Sequence, residues 1–318
     1  MSDWQTLGYR YYPPGLAFRQ EFGCPVWKVS VDAGFSCPNR DGTSGTGGCV
    51  FCDNASFAPS RRLCSGVSIR EQINFGTAQL KRRYPKAEKF IAYFQPATNT
   101  YAPIQKLEHL YRSALEHPDT AGLAIGTRPD TLPDDVLNLL AELAQTTWVQ
   151  LEIGLQSVHK KSLDFLQRGH SYEAFLDAVR RFSILRSGCT AGSRLRLGVH
   201  LILGLPDESR EDALTTAEEL AKLPVDSIKL HHLYVVRNTK LAEHWKHGGI
   251  ILPVLNEYAS LAVDFLERTP PNVVIERLAG EADAEFLLAP DWTKSKHAVR
   301  NAVDAEFRRR NSWQGKCR

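Results

Sequence analysis

Short strands with one apolar and one polar face most constrain how this chain can fold. In 194–204 every second residue is leucine or valine, and the residues between them are arginine, glycine, histidine and isoleucine. The same alternation is present in 26–32 and 148–156. Because side chains alternate between the two faces of a strand, each of these strands presents a polar face that must meet something other than a hydrophobic core.

Strands and helices alternate along the chain, which predicts βα units and a parallel sheet or barrel. The predicted strands are 26–32, 89–95, 121–128, 148–156, 194–204 and 225–235. The predicted helices are 68–83, 103–117, 133–144, 172–186 and 209–222. With helices covering the apolar faces, the polar faces line a lumen that holds a ligand, where an ordinary barrel has bulky aliphatic residues. The alternative is a half-exposed antiparallel sheet, which requires hairpins in place of helix-length connections.

Three cysteines cluster in one glycine-rich loop after the first predicted strand. Eleven residues separate Cys37 from Cys49, and two separate Cys49 from Cys52. Four glycines in the intervening segment allow the loop to fold tightly around a bound group. A polar loop of this kind offers little core for buried thiols, so the spacing indicates a metal ion or a metal cluster.

The residues leave two kinds of metal centre open. Structural zinc has four ligands, commonly in two close pairs, and Cys64 is the one cysteine positioned to complete such a set. Three thiolates alone suit a [4Fe–4S] cluster with one open iron, which binds the amine and carboxylate of S-adenosylmethionine (SAM). The remaining cysteines show no pairing pattern.

Polar or glycine-containing segments follow several predicted strands. They are 95–103, 126–133, 154–157, 167–170 and 204–209. Ligands in parallel α/β folds bind at the carboxyl ends of the strands. These segments and the cysteine loop are therefore expected to share one mouth.

The cysteine loop together with these motifs resembles the radical SAM superfamily. Its wide cysteine spacing and the segments YFQPATNTYAP, TRPD, IGLQS, RGH and ILGLPDES are similar to the branch that contains the catalytic subunit of Elongator and its short bacterial YhcC-like relatives. The resemblance implies an α/β fold, a partial (β/α)6 TIM-like barrel with a small C-terminal extension. Residues 1–240 would form the barrel with its cluster loop, and 241–318 the extension with a basic terminal helix. The chain leaves no room for Elongator's acetyltransferase domain, so acetyl transfer is not expected.

The resemblance also implies cofactors and the residues that hold them. A [4Fe–4S] cluster is expected on Cys37, Cys49 and Cys52, with SAM beside it. Phe51 would pack against the adenine, and Gln156 and Arg168 would contact the ribose and carboxylate of SAM. Further expected SAM contacts are Gln95, Arg128, Glu152 and His200. Phe94-Gln95-Pro96 stands where the family has Gly-Gly-Glu, the motif that holds the SAM amino group.

Candidate catalytic residues come from the segment IKLHHLYVV. Lys229 and His231 share one face of this strand and would contact substrate or move a proton if that face lines the lumen. Arg277 follows an apolar run and is positioned to close the far side of the barrel.

Charge is unevenly distributed along the 318 residues. The net charge is +3, yet residues 294–318 hold eight basic and two acidic residues, a net +6. This segment indicates a polyanionic partner such as tRNA, docked by Arg308, Arg309, Arg310 and Lys316, or else a solvated helix. We find neither a signal peptide nor a long apolar run, so a cytoplasmic protein without membrane contact is expected.

The expected function is reductive cleavage of SAM for tRNA modification, with a flavodoxin or ferredoxin as electron donor. The alternatives are radical chemistry on a small molecule and a non-catalytic iron–sulfur or zinc module that binds nucleic acid.

Overall fold

Seven parallel strands form one curled sheet, a half-barrel open on one side. The computed structural model describes residues 3–58, 66–190 and 192–318. The strands in these residues are β1 (Val26–Val31), β2 (Lys89–Phe94), β3 (Thr120–Thr127), β4 (Trp148–Gln156), β5 (Leu195–Leu203), β6 (Ser227–His232), β7 (Val235–Val236), β8 (Val274–Arg277) and β9 (Leu287–Ala289). The sheet order is β1-β2-β3-β4-β5-β6-β8, and every neighbouring pair is parallel. The partial barrel predicted from the sequence is confirmed, with a seventh strand added.

Helices follow most strands and cover the outer surface of the sheet. Those in the described residues are α1 (Asp3–Thr6), α2 (Pro14–Phe22), α3 (Asn54–Phe57), α4 (Ile69–Arg83), α5 (Ile104–Leu115), α6 (Asp134–Leu143), α7 (Lys160–Phe165), α8 (Tyr172–Ser187), α9 (Arg210–Ala221), α10 (Lys240–Lys246), α11 (Leu255–Arg268) and α12 (Lys296–Arg309). Capping residues determine where two of these helices begin. Ser68 and Glu71 form a capping box at α4, and Ser209 and Asp212 form one at α9. No helix in the described parts of the chain is long and apolar enough to cross a membrane.

The last predicted strand, 225–235, is two strands in the structure. β6 ends at His232, and β7 then pairs antiparallel with β9 in a separate two-stranded sheet. β8 takes the edge position beside β6, with Lys229 opposite Arg277. The predicted domain boundary at residue 240 stays a prediction. β8 lies after that boundary and nevertheless belongs to the same sheet as the barrel strands.

The outer faces of the strands form the main hydrophobic core. Leu151, Ile153, Leu197 and Val199 are fully buried beneath the helices. Burial of one such side chain contributes about 1.5–3 kcal/mol, and this face therefore determines the register of the strands. The alternate residues point into the half-barrel.

Helix α2 closes the amino-terminal end of the half-barrel. Phe18 and Phe22 pack edge-on against Trp148, at ring-centroid distances of 5.8 and 6.1 Å. These rings form a separate apolar cluster inside the sheet. The lumen is therefore closed at this end and open at the carboxyl ends of the strands.

Two arginines expected to line the lumen instead contribute to this closure. Glu21 of α2 accepts from Arg194 at 2.8 Å and from Arg196 at 3.2 Å. Both arginines lie at the start of β5, where α2 fills the half-barrel. These two side chains pair with Glu21 of α2 and do not face a ligand, and the sequence pattern did not predict this helix.

The basic segment after residue 294 forms α12 and a following loop. Arg310 donates to Asp264 of α11 at 2.5 Å and to Glu306 at 2.6 Å, and its side chain is 17% exposed. The prediction that Arg310 docks tRNA is therefore corrected, because its guanidinium holds α12 against α11. Arg309 is exposed but pairs with Glu306, whereas Arg308 is exposed without an ion pair in the described residues.

Candidate active site

One cavity of about 230 Å³ at the carboxyl ends of the strands contains every site residue predicted from the sequence. Its lining includes Cys37, Cys49, Phe51, Cys52, Gln95, Arg128, Glu152, Gln156, Arg168, His200, Lys229 and His231. These residues come from the cysteine loop and from five different strands or the segments that follow them. Parallel strands bring their carboxyl ends to one edge, which explains the convergence.

Backbone hydrogen bonds hold the cysteine loop over this cavity. The amide of Gly48 donates to the carbonyl of Asn39 at 2.8 Å, and the amide of Val50 donates to Leu166 at 3.1 Å. The Val50 carbonyl accepts from Leu241 of α10 at 2.9 Å. The loop is thus anchored to the segment after α7 and to α10.

Cys49 is a buried thiol that accepts two hydrogen bonds. The Asn39 amide lies 3.4 Å and the Arg168 guanidinium 3.1 Å from its Sγ. Burial alone would raise the pKa of Cys49, but the charge and hydrogen bond of Arg168 outweigh it and lower the pKa below its usual range. Donors of this kind around a sulfur are the surroundings that a thiolate bonded to iron requires.

Cys37 and Cys52 lie near Cys49, and the three thiols influence one another. Burial and the neighbouring Cys49 raise the pKa of Cys52 to about 11. Within the described residues, no three His, Cys, Asp or Glu side chains are grouped closely enough for a single metal ion. Three thiols around a cavity fit a multi-iron cluster, which bonds each thiolate at a separate iron. Cys64, the possible fourth zinc ligand, lies outside the described residues.

The backbone at the end of β4 allows the side chains of Gln156 and Arg168 to reach into the cavity. Gln156 has a φ of 79°, a left-handed conformation that costs about 1–2 kcal/mol for a residue with a Cβ. A Cβ at Gly154 would lie 2.9 Å from the Gln156 amide and 3.1 Å from the Arg168 guanidinium. Glycine at this position therefore leaves room for both side chains.

Arg168 is positioned by its neighbours, and one of its donors has no partner. Nη2 donates to the Gly154 carbonyl at 2.6 Å, whereas the buried Nε has no hydrogen bond. Arg128 donates to the Arg168 carbonyl at 2.7 Å and is paired with Asp130 at 2.7 Å. Arg128 thus holds the backbone of Arg168 in place beside the cavity. Its contact with SAM stays a prediction.

Asn99 is a cavity residue that the sequence reading missed. Its Nδ2 donates to the carbonyls of Pro96 and Gly126, at 3.1 and 2.9 Å. These two bonds fix the amide orientation and leave the buried Oδ1 without a partner. An unpaired buried acceptor of this kind suits an ammonium group. Gln95, the predicted contact in this segment, donates to Ser30 at 3.0 Å.

Below the cavity, four charged side chains from four strands neutralise one another. Lys28 contacts Glu152 at 2.8 Å and Glu276 at 2.6 Å. Lys229 is bonded to Glu152 and lies 3.6 Å from Glu276. Burial would raise the pKa of Glu152, but Lys229 and Lys28 lower it well below its usual range. This group is hereafter the lumen ion network.

Of the two candidate catalytic side chains, Lys229 belongs to this network, and His231 lies two residues further along β6. Lys229 also donates to the Tyr93 hydroxyl at 3.1 Å, so its ammonium is held in place. His231 stacks on His200 with ring centroids 5.9 Å apart, and its buried Nε2 has no hydrogen-bond partner. Burial, with the charge of Arg277, lowers the pKa of His231 well below its usual range, so the ring is neutral.

Comparison with known proteins finds two matching family models. The model described as "Radical SAM superfamily" matches residues 41–220, and "Radical_SAM C-terminal domain" matches residues 225–309. Protein YhcC of Escherichia coli is 38% identical over 87% of this chain and 85% of its own length. The tRNA uridine(34) acetyltransferase of Methanocaldococcus infernus is 31% identical over 48% of this chain and 27% of its own.

A solved structure has the same fold. The archaeal Methanocaldococcus infernus Elp3 with an N-terminal deletion superposes with a TM-score of 0.66 at 18% identity. The match covers 91% of this chain and 64% of that protein. At this identity, the likeness concerns the fold alone.

Proposed function

The chain belongs to the radical SAM superfamily and is a radical SAM enzyme, and on that premise we propose that it modifies tRNA by a radical reaction in its polar lumen. The superfamily's cofactors are a [4Fe–4S] cluster and SAM. When bound, they supply reductive cleavage of SAM into methionine and a 5′-deoxyadenosyl radical. The observation that carries the proposal is that three loop thiols and the polar ends of the strands meet at one cavity.

The cysteine loop would hold the cluster. Cys37, Cys49 and Cys52 are the thiols of the set, and Asn39 and Arg168 donate toward the sulfur of Cys49. Three protein thiolates leave one iron open for a ligand that has an amine and a carboxylate. We therefore favour the cluster over zinc.

The rim of the cavity offers partners for SAM. Arg168 has an unpaired buried Nε for the carboxylate, and Asn99 has an unpaired buried Oδ1 for the ammonium. Gln156 reaches the ribose, and Phe51 packs against the adenine. Asn99 takes the role that Gly-Gly-Glu has elsewhere in the family. Arg128, Gln95, His200 and Glu152 stay predicted contacts.

Lys229 and His231 are the proposed catalytic pair. The neutral His231 has an unpartnered nitrogen that can accept or donate a proton, and Lys229 provides a fixed charge beside it. Both side chains line the lumen, and Lys229 is buried there.

Relatives support tRNA as the substrate. One relative is named a tRNA uridine(34) acetyltransferase, and the match covers 27% of that protein. We therefore propose the nucleic acid and not the acetyl transfer. Exposed Arg308 and Lys316 of the basic segment are proposed to contribute phosphate contacts. A flavodoxin or ferredoxin is the proposed reductant, and the cytoplasm the proposed location.

The cofactor part is tested by anaerobic reconstitution with iron and sulfide. We expect about four irons per chain with broad brown absorbance in the wild type, and loss of both in Cys37→Ala, Cys49→Ala and Cys52→Ala. Cys189→Ala, which removes a thiol far from the loop in sequence, is the control and should load fully. With dithionite and SAM, the loaded protein should form 5′-deoxyadenosine. A colourless protein with one zinc per chain would refute the cluster.

The substrate part is tested by mass spectrometry of tRNA nucleosides. A strain without this gene should lack one modified nucleoside, which the wild-type gene restores and the Cys49→Ala gene does not. An unchanged nucleoside profile, with 5′-deoxyadenosine formation intact in vitro, would transfer the proposal to a small-molecule substrate.

A further inference from the structure

A second cavity of about 880 Å³ lies at the open side of the half-barrel, where β1 and β8 are the two edge strands of the sheet. Residues from the segment before α2, from β1, from β8 and from α12 line it. They include Tyr9, Tyr11, Trp27, Arg277, Lys296 and Arg300. We name it the side cavity. It shares Arg277 and Glu281 with the cavity of the active site, so the two are adjacent.

Arg277 is the inner cation that the lumen ion network leaves uncompensated. It ends β8 and lies opposite Lys229, whose charge Glu152 neutralises. In the described part of the chain, the half-buried Arg277 side chain makes no ion pair or hydrogen bond. The nearby carboxylates pair elsewhere, Glu276 with Lys28 and Glu281 with Lys296 at 3.7 Å. A guanidinium at a cavity wall that pairs with no carboxylate is suited to an anionic ligand, which it binds through paired N–H donors.

A second unpartnered group lies next to Arg277. His231 Nε2 is buried and has no hydrogen-bond partner, and His231 lines the active-site cavity, to which Arg277 also contributes. Buried polar atoms normally have partners, so a ligand atom is the expected one here. Neither group belongs to the set assigned above to SAM.

The outer part of the side cavity combines aromatic rings with cations. Trp27 lines the cavity and stacks on the exposed Tyr84 at 5.5 Å, and the guanidinium of Arg83 lies 5.4 Å from the Tyr84 ring; Tyr84 and Arg83 lie beyond the lining residues. Tyr9 is 47% exposed, and Arg300 has no carboxylate partner among the described residues. Stacking surfaces beside cations are what proteins use to bind unpaired nucleotides without sequence readout.

We propose that the side cavity binds an unpaired stretch of the RNA substrate, and that Arg277 holds a phosphate of the target nucleotide where it reaches the lumen. This inference rests on the proposed function, because it takes RNA as the substrate. The inference places the main RNA contact of α12 at Arg300, in the side cavity, and not at the Arg308–Arg310 stretch.

The test is a fluorescence-anisotropy titration of the full chain with a labelled RNA hairpin that has an unpaired loop. Arg277→Gln and Arg300→Gln should each weaken binding about tenfold and lower the salt dependence by roughly one phosphate contact. Arg277→Lys should retain most of the affinity. The matched control is Arg180→Gln, an exposed arginine of α8 outside the side cavity, which should change affinity less than twofold. A blunt duplex of the same stem should bind more weakly than the hairpin.

The outcomes separate this inference from the proposed function. A wild type that cleaves SAM but does not bind the hairpin would refute the RNA substrate and this inference together. Hairpin binding that is equal in the wild type, Arg277→Gln and Arg300→Gln would refute the side cavity alone. Loss of SAM affinity in Arg277→Gln, measured by equilibrium dialysis, would assign the guanidinium to SAM and also refute the inference.

Discussion

Gln156 shows how a single residue can be held in an unfavourable backbone conformation at a binding site. Its φ of 79° brings the side chain of the last β4 residue into the cavity, beside Arg168. Strain of this kind persists where the surrounding structure determines it, and it concentrates at functional sites. The local glycine, Gly154, makes the space that the conformation needs.

A pair of variants separates the backbone effect of Gln156 from its side-chain role. Gln156→Gly and Gln156→Ala both remove the amide, so each should weaken SAM binding to the same extent. Glycine adopts a positive φ without penalty, so Gln156→Gly should be more stable than Gln156→Ala by about 1 kcal/mol. Urea unfolding measures the stabilities, and equilibrium dialysis measures the affinity for SAM. Equal stabilities would show that the conformation is not strained.

At the scale of elements, the lumen ion network ties four strands together. Lys28, Glu152, Lys229 and Glu276 belong to β1, β4, β6 and β8, which span the sheet from edge to edge. Glu152 bonds both lysines and its side chain is fully buried. Removal of its charge leaves two buried cations with one carboxylate between them.

Glu152→Gln should therefore destabilise the fold by about 3 kcal/mol at pH 7. Because the pKa of Glu152 is depressed in the folded state, its contribution is complete above about pH 4.3 and declines as the pH falls below that value. The difference between wild type and variant, measured by urea unfolding, should thus shrink in acid. Glu142→Gln removes an exposed carboxylate paired with Arg112 and should cost under about 1 kcal/mol. A pH-independent difference would contradict this account.

The elements differ in how far their sequence determines them. The three strands with strict alternation, 26–32, 148–156 and 194–204, are visible in the sequence, because burial of one face imposes a period of two. β8 is four residues long, too short for any period, and only its pairing with β6 makes it a strand. Helix α2 has no simple apolar stripe, since it buries aromatic residues inside the half-barrel while Glu21 meets β5.

The residues of the candidate site also differ in how far the sequence alone identifies them. The cysteine spacing and the residues at strand ends are local, so the sequence suffices to select twelve of the residues that line the cavity. Asn99 has no local signature, because its unpaired oxygen depends on how its loop folds against β3. The pairing of Arg310 with Asp264 joins two helices distant in sequence, so that arginine looks available for a ligand until the fold is known.

For the whole molecule, the open edge of the sheet is secured by residues far apart in sequence. Gln314 donates to the carbonyls of Pro270 and Val273, at 2.6 and 2.8 Å, just before β8. Its side-chain oxygen accepts from the amide of Tyr12 at 2.9 Å, and the carbonyl of Tyr12 accepts from Ile275 of β8. One buried amide thus joins β8 to the segment that precedes α2.

Gln314→Ala should lower the free energy of unfolding by about 3 kcal/mol, since it leaves the Val273 carbonyl and the Tyr12 amide without these partners and removes one of two donors from the Pro270 carbonyl. Gln145→Ala removes an exposed amide that bonds Ala141 and Thr190, and should change stability by less than about 1 kcal/mol. Chemical denaturation of both variants measures the difference. Equal effects would mean that water replaces Gln314 at no cost.

This connection also sets the order in which a growing polypeptide can finish folding. Gln314 and Tyr12 are 302 positions apart, so the segment before α2 leaves the ribosome long before its partner has been translated. Synthesis at about 5–20 residues per second leaves that segment without its partner for roughly 15–60 s. Once β8 has been made, its edge lacks this cover until Gln314 follows, and a chaperone that shields exposed strand edges has its main task between these two points.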